Sequence, residues 1–340
     1  MTGSDRPPPA TRRALLLARE LQELGWQGSA YRVGFELGQR LGIDRYRDGR
    51  HARHREPSAG VDEGWVSRSP FAIPPARHVL EELQDGATRA ALRAQVAAAD
   101  AGRIIAFGRW IADHGSPIDW HQDPAGGARW SDDLHWSLAQ RGGPGTGDIK
   151  LVWEVGRFPQ AYALARTART TPSLADDCGR VLSDHVRGFI ADNPYPLGVH
   201  WASGQEIALR IMAWAFALPL VHATTGLDRE LLRSAAGAIA TGVEHIERHI
   251  GYARHAVYNN HLLSEALGLM LAGQLLQEHP RAAHWRDEGH QILTAQAGRQ
   301  FYPDGGYIQQ SHNYQRLACQ VLLWACAVAR TAGGEPDPAW

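Results

Sequence analysis

One spacing constrains this chain more than anything else in it. From residue 148 onward, long segments with apolar residues at i, i+3, i+4 and i+7 follow one another: Ile207 to Leu220, Leu231 to Ile250, Leu262 to Leu276 and Leu317 to Ala329. That period puts the apolar residues on one face of a helix. Four polar segments stand at the start of every second helix: GDIKLVWEVGRF from 147, GVHWASGQEIALR from 198, YNNHLLSEA from 258 and DGGYIQQSHNYQR from 304. Asp148 to Ser203 is 55 residues, Ser203 to Asn260 is 57, and Asn260 to Tyr314 is 54. A helical hairpin with its two loops fills about that length, which predicts a repeat of helix pairs. In an up-and-down array alternate helices point the same way, so the four starts gather at one end. Helix N-termini carry free N–H groups and partial positive charge, which favour anions. Closing the array into a ring sets the four segments around one mouth. No run of alternating strands is evident, and the expected class is all-α.

The front of the chain is less regular. Helical stretches are expected at Leu15 to Leu24 and Tyr31 to Leu41, the second ending before Gly42. The polar run IDRYRDGRHARHREPSAGVDEG has little to bury and reads as a linker or surface loop. A helical pattern resumes at about Pro75. The expected organisation is therefore N-terminal helices and a polar linker over 1–74, then a helical domain over 75–340. Residues 115–147 are dense in Trp, Gly and Pro. Trp120, Trp130 and Trp136 sit there among polar residues, as they do in an ordered loop offering aromatic surface to a sugar. The alternative is that they pack the loop onto the helices.

Composition narrows the function classes. The formal net charge is -1, so no global basic field exists to hold nucleic acid or an anionic membrane. An anionic ligand must be met locally, inside a cleft. Lys150 is the only lysine and arginine supplies the other positive charges; its planar fork suits carboxylate or sulfate. Cys178, Cys319 and Cys326 are odd in number and not at metal-site spacing, and are expected to be reduced, buried thiols. Ile211 to Ala223, the longest apolar stretch, contains Pro219 and His222 and is too short to span a bilayer. The proline-rich start lacks the apolar core of a signal peptide, which points to the cytoplasm if the N-terminus is complete. No phosphate-binding glycine loop, zinc spacing, HExxH or Ser/His/Asp motif is present, so neither cofactor nor metal is expected. Nothing in the sequence fixes the oligomeric state.

The motifs DIKLVWEVGRF, HWASGQEIALRIMAW, NNHLLSEALGLMLAG and DGGYIQQSHNYQR, in this order and at these separations, resemble the N-terminal domain of the heparinase II/III family of polysaccharide lyases and the related alginate lyases. The likeness covers roughly residues 75 to 330. It implies an incomplete α/α toroid of helical hairpins. It also implies a following β-sandwich that supplies a further histidine to the site, and this chain stops at Trp340, before any such domain. The implied chemistry is β-elimination on a uronic-acid-containing polysaccharide. A base removes the C5 proton of the uronate and the C4 glycosidic oxygen leaves. Removing that proton pushes charge into a carboxylate already charged, so donors aimed at the carboxylate stabilise the transition state.

By resemblance, Asn260 and His261 bind that carboxylate and Tyr314 is the catalytic tyrosine. Read alone, Asn259 or Asn260 is also a good helix cap, and Tyr314 shares a helical face with Leu317, Val321 and Trp324 as a core aromatic does. Tyrosine has a pKa of about 10, so only about one in a thousand is phenolate at neutral pH. Candidate substrate-binding residues are Arg157, His200, Trp201, Glu206, Arg210, Glu265 and His312. The family usually has Asn where His200 stands. Glu206 with Arg210, and Glu154 with Arg157, are also at the spacing of ordinary helix-surface ion pairs; Glu265, one turn after His261, is placed to orient it. The expected partner is an anionic polysaccharide. Two other readings are compatible with the pattern. One is an inverting glycoside hydrolase, with Asp132, Asp133, Glu154 and Glu206 as candidate carboxylates. The other is a non-catalytic protein of polysaccharide binding or exopolysaccharide assembly.

Overall fold

A computed structural model describes residues 10–54, 61–72, 84–257 and 259–340. The boundary expected near residues 74 and 75, and the helical pattern from Pro75, lie outside the described residues.

Helix α1 (Ala10–Leu41) is broken at Gly25, which has φ 68°. The two helical stretches expected there are thus present, with a glycine at the joint. Helix α2 (Ile43–His54) follows at once. Over Ile43–His54 the expected linker is corrected, and the reason is physical. The helix docks by burying a carboxylate rather than an apolar stripe. Asp48 is fully buried; its carboxylate accepts the indole N–H of Trp136 at 2.8 Å and lies within hydrogen-bonding range of His135 and His249. A helix anchored in this way leaves no apolar period to read. A helical turn at Glu63–Arg68 then seats Trp65 in the core, where its indole N–H donates to the Leu232 carbonyl at 2.9 Å.

Helix α3 (Gly86–Asp100) begins at Asp85, whose side chain accepts from the Thr88 N–H. Strands β1 (Arg103–Ala106) and β2 (Trp110–Asp113) form an antiparallel hairpin that the sequence reading missed, because four residues are too few to show alternation. A Cβ at Gly102, at its base, would fall 1.8 Å from the Gly115 carbonyl oxygen, so only glycine lets the chain close there. Trp120, Trp130 and Trp136 are all buried. The aromatic surface expected over residues 115–147 is therefore corrected: these rings pack the loop inward, Trp120 lying 5.2 Å from the Phe158 ring and 5.1 Å from that of Phe189. The short helix α4 (Trp136–Ala139) belongs to this layer.

The remaining elements alternate. After α5 (Ile149–Gly156) come α6 (Pro159–Thr170), α7 (Ala175–Asp192), α8 (Gly204–Thr225), α9 (Arg229–Tyr252), α10 (Asn260–Leu275), α11 (Ala282–Gln300) and α12 (His312–Thr331). The even-numbered helices from α6 pack in succession, α6 on α8, α8 on α10 and α10 on α12. Helices α7, α9 and α11 lie against them as the outer layer. This is the expected all-α toroid, incomplete in its ring. Helices α10 and α11 approach so closely that a Cβ at Gly273 would meet the Ala282 carbonyl at 2.4 Å, and one at Gly289 the Ala266 carbonyl at 2.4 Å. Helix α8 is long and apolar enough to cross a membrane by length and composition, longer than the stretch weighed in the sequence; 72% of its apolar window is buried against its neighbours. The cysteines are unbridged, but only Cys178 is buried. Cys319 is exposed and Cys326 half-buried, which corrects the expectation of three buried thiols.

Candidate active site

The mouth is built where the chain enters the inner helices. Between α5 and α6 the backbone turns through Phe158, a left-handed residue with φ 59°, and Pro159 starts the next helix. This turn presents Arg157. Its guanidinium holds both carboxylate oxygens of Glu206, Nε to Oε2 at 2.5 Å and Nη2 to Oε1 at 2.8 Å, and its Nη1 donates to Glu154 Oε2 at 2.6 Å. The other oxygen of Glu154 accepts the Phe107 N–H at 2.9 Å, which ties the tip of the β-hairpin to the clamp. The side chain of Glu206 is 3% exposed. Glu206 pairs with Arg157, 49 residues away, and not as an exposed partner of Arg210. The two carboxylates hold the Arg157 guanidinium protonated in spite of its burial.

Helix α9 ends in a π-helical turn over Ala253–Val257, directly before the asparagine pair. Such turns re-aim the chain locally and recur at functional sites. Asn259 caps α10, its side chain accepting the His261 N–H at 3.0 Å. The cap being filled by Asn259, Asn260 is left for other work. It is 2% exposed, its Oδ1 is buried with no hydrogen-bond partner, and its backbone N–H is held by Gln309 at 3.5 Å. His261 is half-buried. Burial lowers its pKa, opposed by the nearby Glu206 and reinforced by Arg157, so the ring favours the neutral form. Those interactions bring Arg157, Glu206 and His261 into one neighbourhood.

The segment before α12 is strapped to the same place. Gln300 bridges the Asn259 carbonyl, at 3.2 Å from its Nε2, and the Tyr307 hydroxyl, at 2.7 Å from its Oε1. Gln310 is left-handed, with φ 49°. His312 and Tyr314 are exposed in the first turn of α12, Tyr314 at 46%. Tyr314 is thus not a core aromatic, although it shares a face with Val321 and Trp324, which are buried. Glu265 is buried against Gly204 at the start of α8, where an added Cβ would meet its Cδ at 2.6 Å. Burial pushes the Glu265 carboxyl up to about 8.

Three expected cleft residues lie deeper than expected. His200 is fully buried, its Nε2 2.7 Å from the Trp120 carbonyl, and a Cβ on Gly156 would fall 2.4 Å from its Nδ1. Burial holds its pKa well below the usual histidine range. Its expected contact with a substrate is corrected: enclosed on all sides, it is a packing histidine. Trp201 is also buried, its indole N–H donating to the Asn193 carbonyl at 3.3 Å. Arg210 is buried and held by the Gly156 carbonyl at 3.2 Å, with its guanidinium carbon 4.5 Å from the centre of the Phe189 ring. Burial pulls its pKa down to about 9. Trp201 and Arg210 line a largely apolar cavity of about 550 Å³ between α7, α8 and α9. Asn259 is the helix cap the sequence offered, while Phe107 and Gln309 were not among the candidates. Their roles run through backbone N–H groups, which side-chain chemistry does not announce. Among the described residues, no His, Cys, Asp or Glu cluster with metal-ligand geometry includes a residue of this mouth.

Residues 198–337 match the family described as Heparinase II/III N-terminus. The second half of the chain is thus similar to the N-terminal domain of that family. A heparin-sulfate lyase of Bacteroides stercoris is 30% identical over 92 residues, which is 25% of this chain and 14% of that protein. Among solved structures, a heparinase III gene product with methylated lysines superimposes with a TM-score of 0.53 at 17% identity, covering 87% of this chain and 43% of that one. The heparan sulfate lyase of Pedobacter heparinus gives 0.52 at 18% identity, covering 93% and 44%. At such identities the likeness shows the fold. The chain spans less than half the length of these heparinase-type structures.

Proposed function

We propose that this heparinase II/III-like domain is the toroid part of a polysaccharide lyase that cleaves a uronic-acid-containing chain by β-elimination. The observation that carries the reading is the state of Asn260. Its buried Oδ1 has no protein partner, which is costly unless a ligand hydroxyl donates to it, and the neighbouring Asn259 already does the capping. On this reading the Nδ2–H of Asn260 and the ring N–H of a neutral His261 donate to the uronate carboxylate, at the positive end of the α10 dipole. They stabilise the charge that develops there as the C5 proton leaves. Tyr314 gives its phenolic proton to the departing C4 oxygen. It also serves as base where the stereochemistry puts both atoms on its side of the ring.

The hydrolase alternative loses its candidates. Glu154 and Glu206 both neutralise Arg157, Asp132 pairs with Arg129, and Asp133 accepts from Ser131. None is a free acid facing a free base. The test is an ultraviolet screen of the full-length gene product against a panel of uronate polymers, reading the double bond that elimination creates. We expect absorbance to rise with the wild type and not with Tyr314→Phe. Cleavage without a double bond, or equal turnover by the variant, refutes the assignment. Binding without turnover by the full-length product selects a polysaccharide-binding role instead.

A further inference from the structure

A second cluster of chemistry-bearing side chains lies on the outer layer, and the mechanism above does not use it. His245 and His249 are i and i+4 on α9 and share a face, their ring centres 4.3 Å apart. Helix α2 lays Asp48 against them. One nitrogen from each ring and one Asp48 oxygen all lie within 4.8 Å of one another, and His249 Nε2 is 3.2 Å from Asp48 Oδ1. Four ligands at bonds of about 2.0–2.1 Å in a tetrahedron stand about 3.3 Å apart along each edge.

The surrounding hydrogen bonds sort the two oxygens of Asp48. Oδ2 accepts Trp136 Nε1–H at 2.8 Å and lies 3.3 Å from His135 Nε2. His135 accepts the Ser137 N–H on Nδ1 at 3.2 Å, so its Nε2 carries the proton and donates. Oδ1 is thereby left to face His249. Outer partners that fix a carboxylate in this way are what orients a metal ligand. One turn earlier on α2, Asp44 has its Oδ2 buried with no hydrogen-bond partner, and it is electrostatically linked to His249 and His135. The opposing charge is Arg248, whose Nε is 3.5 Å from Asp48 Oδ1 and whose Nη2 donates to the Tyr195 hydroxyl at 2.7 Å. Asp44 offsets it.

We infer that Asp48, His245 and His249 form a divalent-cation site, suited by its two imidazoles and one carboxylate to Zn²⁺, that fastens α2 to the outer wall of the toroid. Asp44 or a water completes the coordination. The chain has no HExxH. HIERH at 245–249 has the same i, i+4 histidines, but its carboxylate partner stands 201 residues before His249. The inference stands independently of the lyase reading.

The test uses the whole chain, stripped of metal and titrated with Zn²⁺ or with Co²⁺ as a visible probe. One equivalent is expected to bind, with the intense visible bands of low-coordinate cobalt and a rise in Tm. His245→Gln and His249→Gln are expected to abolish both. His284→Ala, in the half-exposed Glu247, His284 and Glu288 group, is expected to change neither. Uptake that survives in the two Gln variants, or that disappears with His284→Ala, overturns the site, as does no stoichiometric uptake by the wild type. If a Gln variant does not fold, the Co²⁺-loaded wild type decides. Hyperfine-shifted imidazole N–H signals from two histidines support the site, and their absence rejects it.

Discussion

Arg157 and Asn260 stand at two of the four segments around the mouth and treat polarity in opposite ways. Arg157 is committed: every direction of its fork that meets protein meets a carboxylate, and with Glu154 and Glu206 the cluster sums to a formal charge of +1 − 2 = −1. Asn260 is uncommitted, with a buried amide oxygen left unpaired. The most obvious anion receptor in the sequence is therefore part of the frame. Under the proposed function, the groups left to meet an anionic sugar are neutral donors: an amide N–H and an imidazole N–H. Neutral donors accept a carboxylate without having to release a protein counter-ion first.

The sharpest way to break this contrast is at Tyr314. Tyr314→Phe should lower turnover by about a thousandfold or more, the scale of a lost proton-transfer group, with Tm unchanged since the ring is exposed. A small loss would put the chemistry elsewhere. Next comes the frame itself. Arg157→Ala strands Glu206 in a buried site and should cost about 3–5 kcal/mol in denaturant unfolding; a loss below about 1 kcal/mol would show that the clamp is not structural. Asn260→Ala should do the reverse, reducing kcat about a hundredfold with little or no loss of stability. Glu265 gives a pH signature. Its folded pKa, about 8, lies above the ordinary carboxylate value. Between about 4.5 and 8 the unfolded chain releases this proton while the folded chain keeps it, so its contribution makes stability fall as pH rises through that window. Glu265→Gln should flatten that slope, with a gain on the order of 4 kcal/mol at pH 8; an unchanged slope would assign it to other groups. Smallest is Asn259→Ala, expected to cost about 1 kcal/mol as a lost cap and to perturb activity only through the position of Asn260.

How much of this was legible follows the same division. The toroid could be read because each inner helix repeats an apolar period over three or more turns, and the mouth because four polar segments recur at nearly constant spacing. Asn260, His261 and Tyr314 became candidates through the resemblance of their segments. What could not be read was pairing at a distance. Glu206 has Arg210 at the helix spacing, yet its partner is Arg157. His200 looked like a cleft donor, yet Gly156 makes room for it inside. Helix α2 looked like a linker because its anchor is one carboxylate, and Trp120, Trp130 and Trp136 looked exposed because their polar neighbours face out while they face in. Local pattern records which way a helix turns, not which residue on another helix it meets.

Phe107, Phe158 and Gln310 hold left-handed backbone angles that side chains other than glycine adopt at a cost of about 1–3 kcal/mol each. The first is bonded to Glu154, the second follows Arg157, and the third follows Gln309, which holds Asn260. Glycine at Phe107 or Gln310, whose side chains are exposed, would relax the local conformation and loosen the aim of the group beside it, whereas at Phe158 it would also remove a fully buried ring. A laboratory selecting this domain for heat resistance would therefore tend to collect glycines at the two exposed corners and, with them, domains that survive heat but hold the mouth less firmly.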